Sequence, residues 1–214
     1  MIRTISFFKS NYLRKGSFAV NVLTLMTGTT IAQAIPIAIS PILTRIYRPE
    51  DFGIFALYMS IASMLSVIAT GRYELAIMLP EKDEDAVNIV ALSLIIACFV
   101  SFLALVIVWV FNESITKLLD NKEISKWLYF IPLSVFLTGA YNAFNYWSNR
   151  KKQYKRLAIS RISQSGATVT SQIGMGFSGL ETAGLVGGSV FGQSVATGVL
   201  GWQALKEDHY RKKM

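Results

Sequence analysis

Apolar residues run in long unbroken stretches along this chain, and the charged positions fall between them. Six windows contain no Asp, Glu, Lys or Arg: 16–44, 52–71, 86–112, 127–149, 162–180 and 182–205. A helix rises ~1.5 Å per residue and the hydrocarbon core of a bilayer is ~30 Å thick, so about 20 apolar residues cross it. Each window therefore predicts a spanning helix, with approximate bounds 18–42, 52–71, 87–111, 127–148, 160–179 and 183–204. The predicted fold class is all-α, a polytopic membrane protein forming one six-helix bundle over 1–214, with cytoplasmic basic ends at 1–15 and 206–214. The links are too short for a separate soluble domain, and they predict that consecutive helices are antiparallel neighbours.

Composition strengthens the pattern: 52% of residues are hydrophobic and 16% charged, against roughly 25% charged in a soluble domain. Burying six all-round apolar helices in water would need a far larger protein. The net charge of +8 raises the possibility of nucleic acid. Here, however, Lys and Arg flank the apolar spans instead of forming a patch on a soluble surface, so they act as topology signals and no nucleic-acid partner is expected.

Positive residues concentrate in cytoplasmic loops. With both termini inside, sixteen of the 21 Lys and Arg fall on the inner side and five on the outer, and the cluster from Arg150 to Arg156 dominates the bias. Trp109, Phe111, Trp127, Tyr129, Tyr146, Trp147 and Trp202 lie near span ends, where amphipathic rings favour the headgroup layer. No secretory signal is apparent: the first apolar stretch is too long and no small-residue cleavage site closes it.

The spans carry a few polar and conformationally special residues. Gln33, Pro36 and Pro41 lie in the first, and proline removes a backbone donor and clashes with the preceding turn. A kinked helix follows, with either a static bend or a moving hinge at Pro36 and Pro41. In the fourth span Thr138, Asn142, Asn145 and Asn149 share one helical face, and in the fifth Gln164, Thr168, Ser171 and Gln172 do so. An amide facing lipid without a partner costs several kcal/mol. Both stripes should therefore face protein or water, as interhelical hydrogen bonds or as the wall of a cavity.

Gly184, Gly188 and Gly192 repeat every fourth residue, with Ala196 continuing the row, a spacing that lets helix backbones approach closely. Arg72 and Glu74 follow the second span and precede further apolar residues. A continuing helix would hold them at or just within the inner boundary, either as part of a pathway or as a snorkelling or mutually paired couple.

Catalysis would require a nucleophile with a base, paired acids or a metal cluster. None is visible, so no enzyme, cofactor or metal is expected; a membrane transferase acting on a lipid-linked sugar is the enzymatic alternative. His209, the single histidine, lies in the charged tail, and the lone Cys98 lies inside the third span, where it reads as a packing residue.

Two stretches carry a family resemblance. One is IAQAIP (Ile31 to Pro36), followed by SPILTR (Ser40 to Arg45) and YRPEDFGIF (Tyr47 to Phe55); the other is GRYELAIMLP (Gly71 to Pro80), with Asp83, Glu84 and Asp85 after it. Both resemble the start of the polysaccharide flippase family, the bacterial O-antigen and capsule translocases of the multidrug, oligosaccharidyl-lipid and polysaccharide exporter superfamily. The resemblance implies a transporter of polysaccharide biosynthesis in the bacterial inner membrane. Such proteins have two six-helix bundles around a central cavity and move undecaprenyl-diphosphate-linked oligosaccharide units between leaflets by alternating access.

This chain matches one bundle, the N-terminal half. A second six-helix half or a homodimer is therefore an expected partner, besides membrane lipids and the lipid-linked oligosaccharide. The alternative is a truncated half-transporter or scaffold-like membrane protein with no transport of its own. On the flippase reading the substrate pathway comprises Arg72, Glu74, Arg45, Gln33, Asn142, Asn145, Gln164 and Gln172. Arg72 and Arg45 would attract the diphosphate through their planar donor forks. The amides would serve the sugar hydroxyls, and Glu74 would balance Arg72 or carry a proton.

Overall fold

The computed structural model describes residues 18–211. Among the described residues seven α-helices follow in order, with a short 3-10 segment between the second and third: α1 Phe18–Ile46, α2 Pro49–Ile68, the 3-10 segment Tyr73–Met78, α3 Asp83–Leu118, α4 Ile124–Leu128, α5 Ile131–Arg150, α6 Tyr154–Phe177 and α7 Glu181–Arg211. The predicted basic end 1–15, and 212–214 of the other, lie outside the described residues, as does the side chain of His209.

Large apolar side chains face outward. On α3, Phe99, Phe102, Leu103 and Trp109 are exposed, while the small residues Ala86, Ser93, Ala97 and Ala104 are buried. Water would penalise such an exterior at roughly 25 cal/mol per Å2 of apolar surface, whereas lipid tails do not. Small residues inside and bulky ones outside let the helices approach while lipid solvates the rim. Cys98 sits one position beyond buried Ala97 and is exposed; it faces outward and is not the packing residue the sequence led us to expect.

The chain is thus an all-α, multi-pass membrane protein, with one correction to the count. Among the described residues, five helical segments are long and apolar enough to cross a membrane: Val20–Ile46, Pro49–Ile68, Asp83–Leu118, Ile124–Arg150 and Glu181–Lys206. The sixth expected span, α6, falls short because its 24 residues include Lys155, Arg156, Arg161 and the amides Gln164 and Gln172. Neighbouring helices shelter this polar helix. Arg161 Nη1 donates to Thr29 Oγ1 of α1 at 3.0 Å, and Gln172 Nε2 donates to the Leu185 carbonyl of α7 at 3.1 Å.

Helix packing departs from chain order. α6 packs most extensively on α7 and then on α1, while α5 is held by α3, α7 and α2. Consecutive α6 and α7 are close neighbours, as expected, whereas α1 docks on α6 and not on α2. Surface shape accounts for this. Gly28 of α1 faces Ala158 of α6, where a Cβ would collide with that alanine. At the far end of α1, Tyr47 is buried and its Oη donates to the Gln172 carbonyl at 2.6 Å.

The glycine row closes the α6–α7 joint. A Cβ at Gly188 would lie 2.5 Å from Gln172 Cγ and 3.0 Å from the Gln172 nitrogen; one at Gly192 would overlap Thr168 Oγ1 and lie 2.9 Å from the Gln164 carbonyl oxygen. Gly184 sits against Tyr47 Oη and Met175. The other bundle contacts use hydroxyls: Tyr58 Oη and Ser134 Oγ are 2.6 Å apart between α2 and α5. Ser101 Oγ donates to the Pro132 carbonyl at 2.6 Å, and Thr197 Oγ1 to the Leu137 carbonyl at 3.2 Å.

Candidate functional site

The helix does not continue through Arg72 and Glu74. α2 ends at Ile68, and Gly71 and Arg72 take left-handed φ values of 57° and 64°. Glycine adopts that region freely and a β-carbon-bearing residue does not, so two such residues in succession reverse the chain and begin the 3-10 segment. This fold-back carries Glu74 into the protein, where it is buried and accepts a hydrogen bond from Thr70 Oγ1. Arg72 stays exposed and forms no ion pair with Glu74; among the described residues, ion pairs join Arg48 to Glu181 and Arg150 and Lys151 to Asp83.

Arg150 clamps the returning strand of chain. Its Nη1 donates to the Ile77 carbonyl at 3.1 Å, Nη2 to the Glu81 carbonyl at 3.3 Å and Nε to Asp83 Oδ1 at 3.1 Å, while Lys151 bonds the other Asp83 oxygen. Asp83 opens α3 and Arg150 closes α5, so each charge also complements the dipole of its own helix. Sequence reasoning saw the 150–156 cluster only as a topology signal.

Between α2, the fold-back, α5 and α7 lies a cavity of about 440 Å3. Ser63 and Ser66 line it from α2, Arg72 and Glu74 from the fold-back, Thr138, Asn142 and Tyr146 from α5, and Gln193 from α7. The buried carboxamide oxygen of Gln193 has no hydrogen-bond partner. A cation, a carboxylate and neutral amides thus meet on one concave surface. Groups left unpaired at such a depth are costly unless water or a polar ligand meets them.

Three of the sequence-predicted pathway residues, Arg72, Glu74 and Asn142, come together here. The others lie elsewhere. Asn145 accepts a hydrogen bond from Asn149 Nδ2 at 2.9 Å along α5. Gln172 is buried in the α6–α7 joint, and Gln164 lies on the same helix with its carbonyl against Gly192. Thr168 and Gln172 of the α6 stripe are therefore consumed in packing, because the glycines bring α7 so close. Gln33 and Arg45 are exposed on α1, which remains one helix through Pro36 and Pro41. Gln193 was missed, although Ser189 and Thr197, four positions to either side, make a polar row with it on α7.

The Tyr47 to Phe55 stretch organises the opposite end. Asp51 is buried, accepts the Arg48 backbone N–H at 3.0 Å and Thr182 Oγ1 at 2.6 Å, and so joins the start of α2 to the start of α7. Burial pushes the Tyr47 hydroxyl above its ordinary range, and the Asp51 carboxylate adds to the rise.

An apolar exterior around a cavity of charged and amide side chains defines a multi-pass membrane protein with a polar recess between its helices. The comparison with known families sharpens the class: the profile of a polysaccharide biosynthesis protein family matches residues 42–210. The chain belongs to that family, and so is tied to polysaccharide biosynthesis. No curated protein and no solved structure matches it.

Proposed function

We propose that this protein moves lipid-linked oligosaccharide repeat units, carried on undecaprenyl diphosphate, across the bacterial inner membrane by alternating access and without chemical conversion. The observation that carries this reading is the convergence of Arg72, Glu74, Asn142 and Gln193 on one cavity inside a lipid-facing bundle. The sugar and diphosphate would enter the cavity while the lipid tail stays in hydrocarbon. Arg72 supplies a planar donor fork for phosphate oxygens, and Asn142 and Gln193 supply amides for sugar hydroxyls. Glu74, held by Thr70, balances Arg72 or carries a proton. The positive-residue bias supports an orientation with both termini in the cytoplasm, which would put the fold-back on that side.

A second reading follows from the shape of the site. The cavity's walls come from α2, the fold-back, α5 and α7 of a single bundle, and translocation needs an opposite wall. A second six-helix half or a second copy would supply it, and exposed Gln33 and Arg45 on α1 are available to face it. Without that wall the chain is a half-transporter or scaffold with no transport of its own.

Complementation of a strain lacking its repeat-unit flippase tests both readings. Restored surface polysaccharide with this chain alone supports a homodimer, and restoration only with a second half supports an assembled pair. Absence of rescue in both arms, with the protein present in the membrane, overturns the transport reading. In the rescuing arm, Arg72→Ala is expected to abolish export at matched protein level.

A further inference from the structure

Arg161 is a cation within the bundle that does not line the central cavity. It is half-buried, and its Nη1 donates to Thr29 Oγ1 of α1 at 3.0 Å. Its depth follows from helix register. Gly192 of α7 lies against the Gln164 carbonyl, which in this antiparallel pair sets exposed Trp202 level with Tyr154 at the start of α6. Tryptophan favours the membrane interface, and Arg161, seven residues beyond Tyr154, is about 10 Å deeper. Gly28 meets Ala158, so Thr29 is also more than a turn inside that level. The guanidinium therefore stops short of the headgroups and does not snorkel to them.

No helix packed on α6 brings a carboxylate to this depth. α6 packs on α7, α1 and α5, and α1, α5 and α6 contain no Asp or Glu; neither do residues 1–17. The acids of α7 are Glu181, at the opposite end, and Glu207 and Asp208. Those last two positions lie about 18 Å or more further along the axis than Arg161, beyond ion-pair distance. Among the described residues the ion pairs are made elsewhere, and Thr29 is the hydrogen-bond partner of Arg161. One neutral hydroxyl thus serves a group with five donors, at a depth where ionisable residues are expensive and functional.

Successive residues turn about 100° around a helix, which sets Arg161 on the α6 face between Ala158, against α1, and Thr168, against α7. α1 and α7 both pack on α6 but little on each other, so the arginine lies toward the seam between them. Gln33 is one turn beyond Thr29 on the same edge of α1 and is exposed, and an amide at that depth is costly against lipid. A cation and an amide along one seam suit an anion with several acceptor oxygens. We infer that Arg161 is a second phosphate-binding residue of the transport route, taking the diphosphate of the lipid-linked substrate between α1 and α7 with Gln33 beside it. This role rests on the transport reading and adds to it a station on a different helix from the Arg72 cavity. The lipid tail then lies along the outer side of α1, where Leu23, Met26 and Ile37 are exposed.

The test is binding to the purified full chain in detergent, followed by native mass spectrometry, with farnesyl diphosphate, farnesol and inorganic pyrophosphate as probes. Farnesyl diphosphate is expected to bind in preference to the other two. Arg161→Gln is expected to weaken it by about tenfold or more, and Lys117→Gln, an exposed charge lost at the other end of the bundle, to leave it unchanged. Undiminished binding by Arg161→Gln, or an equal loss in Lys117→Gln, would overturn the inference. A lowered unfolding midpoint with the preference over farnesol intact would make Arg161 a structural residue. Should Arg161→Gln fail to accumulate, Arg161→Lys carries the test, because it keeps the charge without the planar fork. Several-fold weaker binding at an unchanged midpoint is then expected, and full binding would overturn the role. Pyrophosphate bound as tightly as farnesyl diphosphate would assign the seam to a soluble anion. Binding in detergent does not require transport. Loss through Arg161→Gln without polysaccharide rescue by the wild type would therefore sink the transport reading alone, whereas rescue that Arg161→Gln leaves undiminished would sink this assignment alone.

Discussion

Tyr47 donates its hydroxyl to the backbone carbonyl of Gln172, 125 residues away in sequence, at 2.6 Å and fully within the protein. This bond pins the end of α1 to α6 at the point where Gly184 of α7 also touches the phenol. Three helices therefore share one hydroxyl. Tyr47→Phe removes this second donor from a carbonyl that α6 already pairs within its own helix and is expected to cost about 0.5–1.5 kcal/mol, read as a lower thermal unfolding midpoint in detergent.

The same phenol gives a pH signature. Burial raises its pKa in the folded protein above the ordinary 10.0, with Asp51 contributing, so the unfolded chain ionises first as pH rises. The tyrosine's contribution is complete below about pH 10 and is lost as pH climbs through the folded value. Wild type and Tyr47→Phe should consequently converge in stability in strongly alkaline buffer, and a difference that persists there would show that the hydroxyl acts otherwise.

The glycines of α7 separate by what surrounds them. A Cβ at Gly192 meets Thr168 and the Gln164 carbonyl, whereas one at Gly198 meets nothing within 4 Å. Gly192→Ala must push α6 and α7 apart and is expected to cost about 1–3 kcal/mol. Gly198→Ala is expected to be neutral, or to stabilise by up to about 1 kcal/mol through the lost freedom of the unfolded chain. Paired thermal melts decide this. Equal effects at the two positions would mean that the α6–α7 joint is looser than its geometry.

Asn142 and Gln172 looked alike in sequence, each an amide on a polar stripe, and the structure gives them different surroundings. Asn142 lines the central cavity; Gln172 is spent on the Leu185 carbonyl. Asn142→Leu should reduce surface polysaccharide in a complementing strain with little change in melting, while Gln172→Leu should lower the midpoint and membrane protein level together. The reverse pattern would exchange their roles.

How far the sequence was legible follows from which forces leave a local mark. Charge gaps record the hydrocarbon thickness directly, so the helices could be read, and the four-residue glycine row foretold the joint it forms. Two things were hidden. The docking of α1 on α6 depends on the fit of Gly28 to Ala158 across 130 residues, for which no periodicity exists. The break after α2 rests on two left-handed residues, of which only Gly71 announces itself; Arg72 in that conformation is opposed by local preference and held by its surroundings. Arg156 and Arg150 looked like members of one basic cluster, yet one is buried and the other ties down the fold-back.

That left-handed arginine separates stability from function. A non-glycine residue at φ 64° costs about 1–2 kcal/mol relative to its relaxed backbone. Arg72 is exposed and takes part in no ion pair among those formed by the described residues, so its guanidinium contributes little to holding the fold. Arg72→Gly should therefore keep or raise the unfolding midpoint, by relieving the backbone, while export falls as it does for Arg72→Ala. Arg72→Lys restores charge but not the planar fork and should recover export only in part. If Arg72→Gly exported normally, the side chain would be idle and the cavity's cation would have to be sought elsewhere. If it melted early, Arg72 would be a structural residue whose contacts outweigh the strain it bears.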